Sequence, residues 1–287
     1  MRLVTYALDG RERVGVQLDD GIHDAGFEGA MVDLIAAGRE RLAAVEQHGG
    51  SAPALPDAVL RAPLRPRSLR DFLTFERHLR NVFSRLSREI SEEWYRVPAY
   101  YKGMPETVIG PEEEIPWPPY SEHLDHELEL AAIIGTQGRD IPVGRAIDHV
   151  VGWTIWNDLS ARDVQAVELP QNMGPGKAKD WDGSNVLGPC IATADELDGT
   201  DVRMAVRING ETWGEARSSE MYHGFAELIA YASRAQTLYP GEVFGSGTAP
   251  GGSGIELDRR LKPGDLIEME IEGIGVLRNR VGPRHGR

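Results

Sequence analysis

The sequence predicts an α+β fold dominated by sheet, in a rolled or barrel-like form, with a small α/β unit ahead of it. Residues 126–280 are mostly short strand runs cut by glycine and proline turns. Helical spacing of apolar residues is confined to a few stretches, chiefly 31–46, 68–83 and 222–234. The 33 glycines supply the tight turns that many short strands need. A chain of 287 residues holds one large domain, or a small one and a medium one, with a substantial core.

In chain order, 3–7 and 13–18 predict two strands around Asp9-Gly10, a hairpin signal. Met31, Leu34, Ile35, Leu42 and Val45 space a helix that stops before Gly49-Gly50. Pro53, Pro56, Pro63 and Pro66 mark a crossover, which divides a small unit at 1–65 from a main domain at 66–287. From Ser68 the pattern is helical, with Phe72, Phe75, Leu79, Val82 and Phe83 on one side. On that helix Asp71 and His78 share a face, and Ser68 with Asp71 fits a capping box. Residues 98–119 predict loop and short strand, including Tyr100 and Tyr101. Two apolar strands follow at 128–134 and 150–156, then a short helix after Asp158. In Tyr239-Pro240-Gly241-Glu242 and Lys262-Pro263-Gly264-Asp265, proline ahead of glycine predicts turns.

Acidic side chains number 45 against 31 basic, a formal charge of −14. That charge repels nucleic acid and anionic membrane surfaces, so neither is an expected partner. The single cysteine, Cys190, permits no internal disulfide and fits a reducing, cytoplasmic setting; a small buried apolar role suits it. Nothing in the sequence is long and apolar enough for a membrane span, and the first residues do not form a signal peptide. No Gly-x-Gly-x-x-Gly stands in a strand-turn-helix context, no Walker loop ends in Gly-Lys-Ser/Thr, and no Gly-x-Ser-x-Gly elbow is present. Nicotinamide, flavin and serine-hydrolase chemistries are therefore not expected.

The chemistry concentrates in acids. Alternate strand residues face the same way, so Glu127 and Glu129 stand together with Leu128 and Leu130 opposite. Such alternation is ordinarily a solvated strand face. Here an apolar run follows it, and Asp158 closes a second apolar strand, with Arg162 and Gln165 just beyond. Three acids on two strands make an all-oxygen pocket suited to Mg²⁺, Mn²⁺ or Ca²⁺ rather than Zn²⁺. His78, like most helical histidines, is ordinarily structural; Lys179, in a glycine-rich loop, is ordinarily solvated, or else a cation for an oxyanion. Thr248 lies in a second glycine-rich loop, 245–254, which is either mobile or a holder of a carboxylate.

Taken together, several segments resemble the fumarylacetoacetate hydrolase superfamily over about 70–282. They are Asp71-Phe72 with His78 and Asn81-Val82, Tyr101-x-Gly103, Glu127-Leu-Glu129, Asn157-Asp158-x-Ser-Ala-Arg-Asp-x-Gln165, Lys179, Ser246-Gly247-Thr248 and Leu-Lys-Pro-Gly-Asp265. The resemblance implies a mixed β-sandwich roll, usually a homodimer, with a divalent metal in a deep pocket. It implies Asp71, Glu127, Glu129 and Asp158 as metal ligands and His78 as a base that activates water, with Glu256 as the candidate that orients it. Tyr101, Arg162, Gln165, Lys179 and Thr248 take substrate-handling or oxyanion roles. A small β-diketo or acylpyruvate acid is the implied substrate, cleaved at a carbon–carbon bond. A decarboxylase, tautomerase or hydratase of a related oxo acid, or a non-catalytic protein on the same fold, are the alternatives.

Overall fold

The structure is a computed structural model that describes residues 1–85 and 88–284. The N-terminal strands are β1 (Arg2–Leu8), β2 (Arg11–Leu18) and β3 (Gly21–Asp24), followed by helices α1 (Met31–Ala36) and α2 (Arg39–Gly49) and strand β4 (Val59–Arg61). Asp9 and Gly10 carry the hairpin turn with φ of 51° and 73°, as a two-residue turn requires. The helix predicted over 31–46 is two helices, broken at Gly38, whose φ of 85° no helix accommodates.

The chain continues with β5 (Ser68–Phe72), α3 (Glu76–Arg85), α4 (Glu92–Arg96), β6 (Tyr100–Gly103) and β7 (Val108–Ile109). Next come β8 (Leu124–Asp125), β9 (Leu128–Ile134), β10 (Val150–Asp158), β11 (Ser160–Ala161), α5 (Arg162–Glu168) and β12 (Asn185–Thr193). Strands β13 (Arg203–Ile208) and β14 (Glu211–Arg217), helix α6 (Phe225–Ala232), strand β15 (Glu242–Gly245), helix α7 (Gly254–Leu257) and strands β16 (Leu266–Ile271) and β17 (Gly275–Arg280) complete it. The large mixed sheet has the order β3-β2-β1-β12-β10-β9-β15-β5-β6, with β4 on β1 and β7 on β12. A four-stranded antiparallel sheet, β14-β13-β16-β17, is the second layer. This is the sheet-dominated α+β roll that the sequence predicts. The N-terminal strands are joined to it directly, since Arg2 and Leu3 of β1 pair with Ala192 and Ile191 of β12.

Two cores follow from strand alternation. Leu128, Leu130, Ala132 and Ile134 point to one side of β9, where they pack with Met204, Val206, Met269 and Ile271 of the smaller sheet. Ala131 and Ile133 point to the other side, with Leu69, Trp156 and Val243, against Leu34, Ile35 and Val45 of α1 and α2. The central strands are thus buried on both faces.

One sequence expectation is corrected. Residues 68–72 are strand, not the first turns of a helix. Five residues are too few for periodicity to separate strand from helix, and pairing decides: β5 runs parallel to β15 and antiparallel to β6. Ser68 caps nothing; its Oγ donates to Glu242 Oε2 at 3.1 Å. Asp71 and His78 therefore sit on a strand and on the helix after it, not on one helical face. The helix predicted at 222–234 is the shorter α6.

Candidate active site

The acids meet because strand parity and register bring them together. Glu129, Asp158 and Asp71 have the same parity as Ala131, Trp156 and Leu69, so they continue the face that carries the α1–α2 core. Trp156 pairs with Glu129, and Gly245 pairs with Ala131 on one side and Asp71 on the other. Asp71 and Glu129 are thus separated by β15, and the residue between them is a glycine. A Cβ on Gly245 would lie 2.5 Å from Glu129 Oε2 and 2.6 Å from the Trp156 ring. The missing side chain is what lets the carboxyls close over the strand. Gly247, at φ +79°, turns its amide to Glu129 Oε2 at 3.2 Å, and a Cβ there would strike the Phe72 carbonyl. Asn157 Oδ1 accepts the Glu127 amide at 3.1 Å, which fixes Glu127 at the mouth of β9.

Each of Asp71, Glu127, Glu129 and Asp158 is buried, and each offers an oxygen within 4.8 Å of the others. Asp71 Oδ1, Glu129 Oε1 and Asp158 Oδ1 are buried with no hydrogen-bond donor among the described residues. Burying charge without a partner is costly, and the four carboxyls converge. The set fits a hard divalent cation.

The electrostatics divide the four acids. Burial, then the neighbouring Asp158 charge, pushes Asp71 well above the usual carboxylate range. Burial, then Asp71 and Asp158, does the same to Glu129. Burial raises Asp158 despite Lys179. Burial also acts on Glu127, but Lys179 and Arg162 outweigh it and hold that carboxyl well below its usual value. Lys179 is buried, although lysines in glycine-rich loops are ordinarily solvated. Its ammonium lies 2.7 Å from Glu127 Oε2 and also pairs with Asp158 Oδ2, and those charges keep it protonated against the effect of burial. Tyr101, paired across β5–β6 with Asp71, donates its hydroxyl to Asp158 Oδ2 at 2.5 Å. Burial and the Asp158 charge hold that phenol well above its ordinary value.

His78 projects from α3, and its Nδ1 is 2.7 Å from Glu256 Oε1. Glu256 lies in α7 and is itself held by Asn81 Nδ2 at 2.8 Å, by the Gly251 amide at 3.0 Å and by Ser253 Oγ at 3.3 Å. Both side chains are buried. The sequence reading of Glu256 as the partner of His78 corresponds to a direct contact.

Arg162 is placed differently from the expectation that it faces substrate. Its Nε donates to Asp125 Oδ2 at 2.8 Å, and Nη1 donates to Gln165 Oε1 at 3.0 Å. Nη2 lies 2.7 Å from Glu127 Oε1, close enough to pair charges but out of line for a hydrogen bond. The guanidinium is turned into the protein because two buried carboxylates hold it there. Gln165 is half-buried beside it, and Thr248 is buried one residue beyond the Gly247 amide. The 245–254 loop is packed rather than open to solvent: all of 245–250 is buried.

Three contributors escaped the sequence reading. Asp125 anchors Arg162 and accepts the Gly254 and Ile255 amides at 2.8 and 3.1 Å. The alternation Asp125, Glu127, Glu129 was its available signal. Gly245 had none, since it reads as part of a flexible run. Glu168 closes the loop ahead of Lys179 by accepting the Gly176, Lys177 and Ala178 amides at 2.8, 2.7 and 3.1 Å. No short-range pattern marks it. No described helix is long and apolar enough to cross a membrane.

Comparison with known proteins agrees with this architecture. Residues 68–282 match the fumarylacetoacetate (FAA) hydrolase C-terminal family. An uncharacterized protein of Pyrococcus abyssi is 37% identical over 195 residues, covering 68% of this chain and 84% of that one. A mitochondrial oxaloacetate tautomerase of Homo sapiens is 35% identical over 189 residues, 64% of this chain and 59% of that protein. A solved fumarylacetoacetate hydrolase from Exiguobacterium antarcticum superposes with a TM-score of 0.82 at 30% identity, covering 99% of this chain and all of that one. The acids gathered from β5, β9 and β10 of one sheet, the sheet order and these matches lead to one conclusion: the chain belongs to the fumarylacetoacetate hydrolase family.

Proposed function

We propose that this protein is a divalent-cation-dependent hydrolase that cleaves a carbon–carbon bond in a small β-diketo acid of the fumarylacetoacetate or acylpyruvate kind, working as a homodimer. The buried His78–Glu256 pair, taken together with the four converging acids, carries the reading. A cation held by Asp71, Glu127, Glu129 and Asp158, with Mg²⁺ the first choice and Mn²⁺ or Ca²⁺ the others, would supply Lewis-acid polarisation of the substrate carbonyl.

The chain's own groups do the rest. Glu256 accepts the Nδ1 proton, which leaves the Nε2 lone pair of His78 for a water proton. The water oxygen bonds to the carbonyl carbon while His78 takes that proton. The carbon–carbon bond then breaks, its electron pair leaves with the departing carbon, and the proton on His78 returns to that carbon. Lys179 and the Tyr101 hydroxyl are donors placed for oxygen charge that develops near Asp158. Thr248 and Gln165 are the candidates for the substrate carboxylate.

A second reading rests on the human relative, whose name is that of an oxaloacetate tautomerase. The same histidine can move a proton between carbon and oxygen with no water attack. Incubation with acylpyruvates and with oxaloacetate in H₂¹⁸O and Mg²⁺, followed by mass spectrometry, separates the two. Hydrolysis places ¹⁸O in the released acid. Intact acylpyruvate together with accelerated keto–enol exchange of oxaloacetate would replace the hydrolase reading by the tautomerase one.

A further inference from the structure

A concavity lies where the N-terminal hairpin meets the crossover into the main sheet. Its volume is about 780 Å³, within the range of small-molecule sites, roughly 300–1,000 Å³. Four arginines line it: Arg13 from β2, Arg61 from β4, and Arg65 and Arg67 from the crossover. Only two acids, Glu12 and Glu113, share the lining. In a chain of formal charge −14, four guanidiniums facing two carboxylates reverse the local sign.

These cations are weakly satisfied from within. Arg13 is 3.7 Å from Asp24, and Arg65 is 3.9 Å from Glu12, both loose pairs. Glu113 Oε1 is already taken by the Gly110 amide at 2.9 Å. Among the described residues, Arg61 and Arg67 have no carboxylate partner. The backbone that carries them is nevertheless fixed. Arg61 pairs with Thr5 across β4–β1, Thr5 Oγ1 donates to the Pro63 carbonyl at 2.8 Å, and the Arg67 amide donates to the Gly241 carbonyl at 2.9 Å. Guanidiniums on an anchored backbone, with loose carboxylate partners or none, suit bidentate recognition of phosphate or carboxylate oxygens.

We propose that this groove binds a small polyanion carrying at least two phosphate or carboxylate groups, at a site separate from the four acids. Arg67 lies just before β5, the strand that delivers Asp71, so an occupant ties down the start of that strand.

Calorimetric titration of the full chain, stripped of metal and dialysed free of chelator, at low salt, with pyrophosphate and separately with citrate, tests this. At least one probe should bind the wild type, and bind Glu127→Gln equally well. Arg61→Gln/Arg67→Gln should bind it at least tenfold more weakly. The stronger of the two probes tells phosphate from carboxylate preference. No binding by either probe, undiminished binding in the double variant, or loss confined to Glu127→Gln overturns the proposal. Should the double variant melt well below the wild type, Arg65→Gln serves instead, since that side chain is 79% exposed and its loss should still weaken binding threefold or more. Sedimentation velocity runs beside it: a dimer that the arginine substitutions dissociate, with no polyanion bound, marks the groove as a contact between copies and also overturns the proposal.

Discussion

Replacing Glu256 by glutamine removes one charge and almost no volume. In the folded protein the carboxylate meets His78 Nδ1 at 2.7 Å, and Asn81, Gly251 and Ser253 hold it in place. Glutamine keeps an acceptor oxygen for His78, and Asn81 can reverse its amide to face the new NH₂, so the geometry survives. What changes is the support given to the imidazole when it takes a proton. A hydrogen bond to a charged group is worth about 1.5–3 kcal/mol and a neutral one about 0.5–1.5, a difference of about 1–2 kcal/mol. At about 1.36 kcal/mol per decade, that is roughly a five- to thirtyfold fall in rate. The assay is steady-state cleavage of an acylpyruvate with saturating Mg²⁺, together with a Mg²⁺ titration and a thermal melt. kcat should fall by that factor while Mg²⁺ affinity and melting temperature stay close to wild type, since Glu256 is not one of the four converging acids. Glu256→Ala should instead also lower the melting temperature, because the Gly251 amide and His78 lose their buried acceptor, at about 1–3 kcal/mol each. A glutamine variant with wild-type kcat would refute the role given to the His78–Glu256 pair.

Other expectations follow from the same geometry. Asp71 and Glu129 have raised folded values, so the cation-free protein keeps protons that the unfolded chain releases near pH 4. Their contribution to stability is therefore full below that pH and is lost as pH rises through the raised values. As pH rises above about 5 the melting temperature in EDTA should fall more steeply than in Mg²⁺, and Mg²⁺ binding should release protons; equal slopes would contradict the raised values. Gly245→Ala should weaken Mg²⁺ binding by an order of magnitude or more and destabilise by about 1–3 kcal/mol, since its Cβ would overlap Glu129 Oε2 and the Trp156 ring; calorimetry and a melt check both. Glu168→Ala frees the loop ahead of Lys179, so kcat on an acylpyruvate should fall severalfold with little change in melting temperature, and an unchanged kcat would show that Lys179 holds its place without the clamp.

Much of the site was legible because its chemistry is local. Two-residue periodicity sets Glu127 and Glu129 side by side, and Asp158 closes the next apolar strand, which pairing brings alongside. Asp71 and His78 were found through the motif and misplaced by the pattern. A short strand joined to a helix looks like one helix until β15 and β6 pair with it. Gly245 and Glu168 act on residues far away in the chain, and nothing beside them in the sequence reports that. Arg162 illustrates the opposite limit. Its position beside Gln165 was plain, but its direction was decided by the carboxylates of Asp125 and Glu127, and only the folded sheet shows them.

The glycine gap in β15 also bears on how the protein folds. Asp71, Glu129 and Gly245 belong to segments far apart in sequence, and they come into register only when β5, β15 and β9 have paired. A cation that needs all of them has no docking place in the transition state unless that three-strand pairing is already made. Where it forms late, Mg²⁺ leaves the refolding rate untouched and slows unfolding alone. The metal then acts as a latch on a finished sheet, and the ratio of its effects on the two rates dates the arrival of β15.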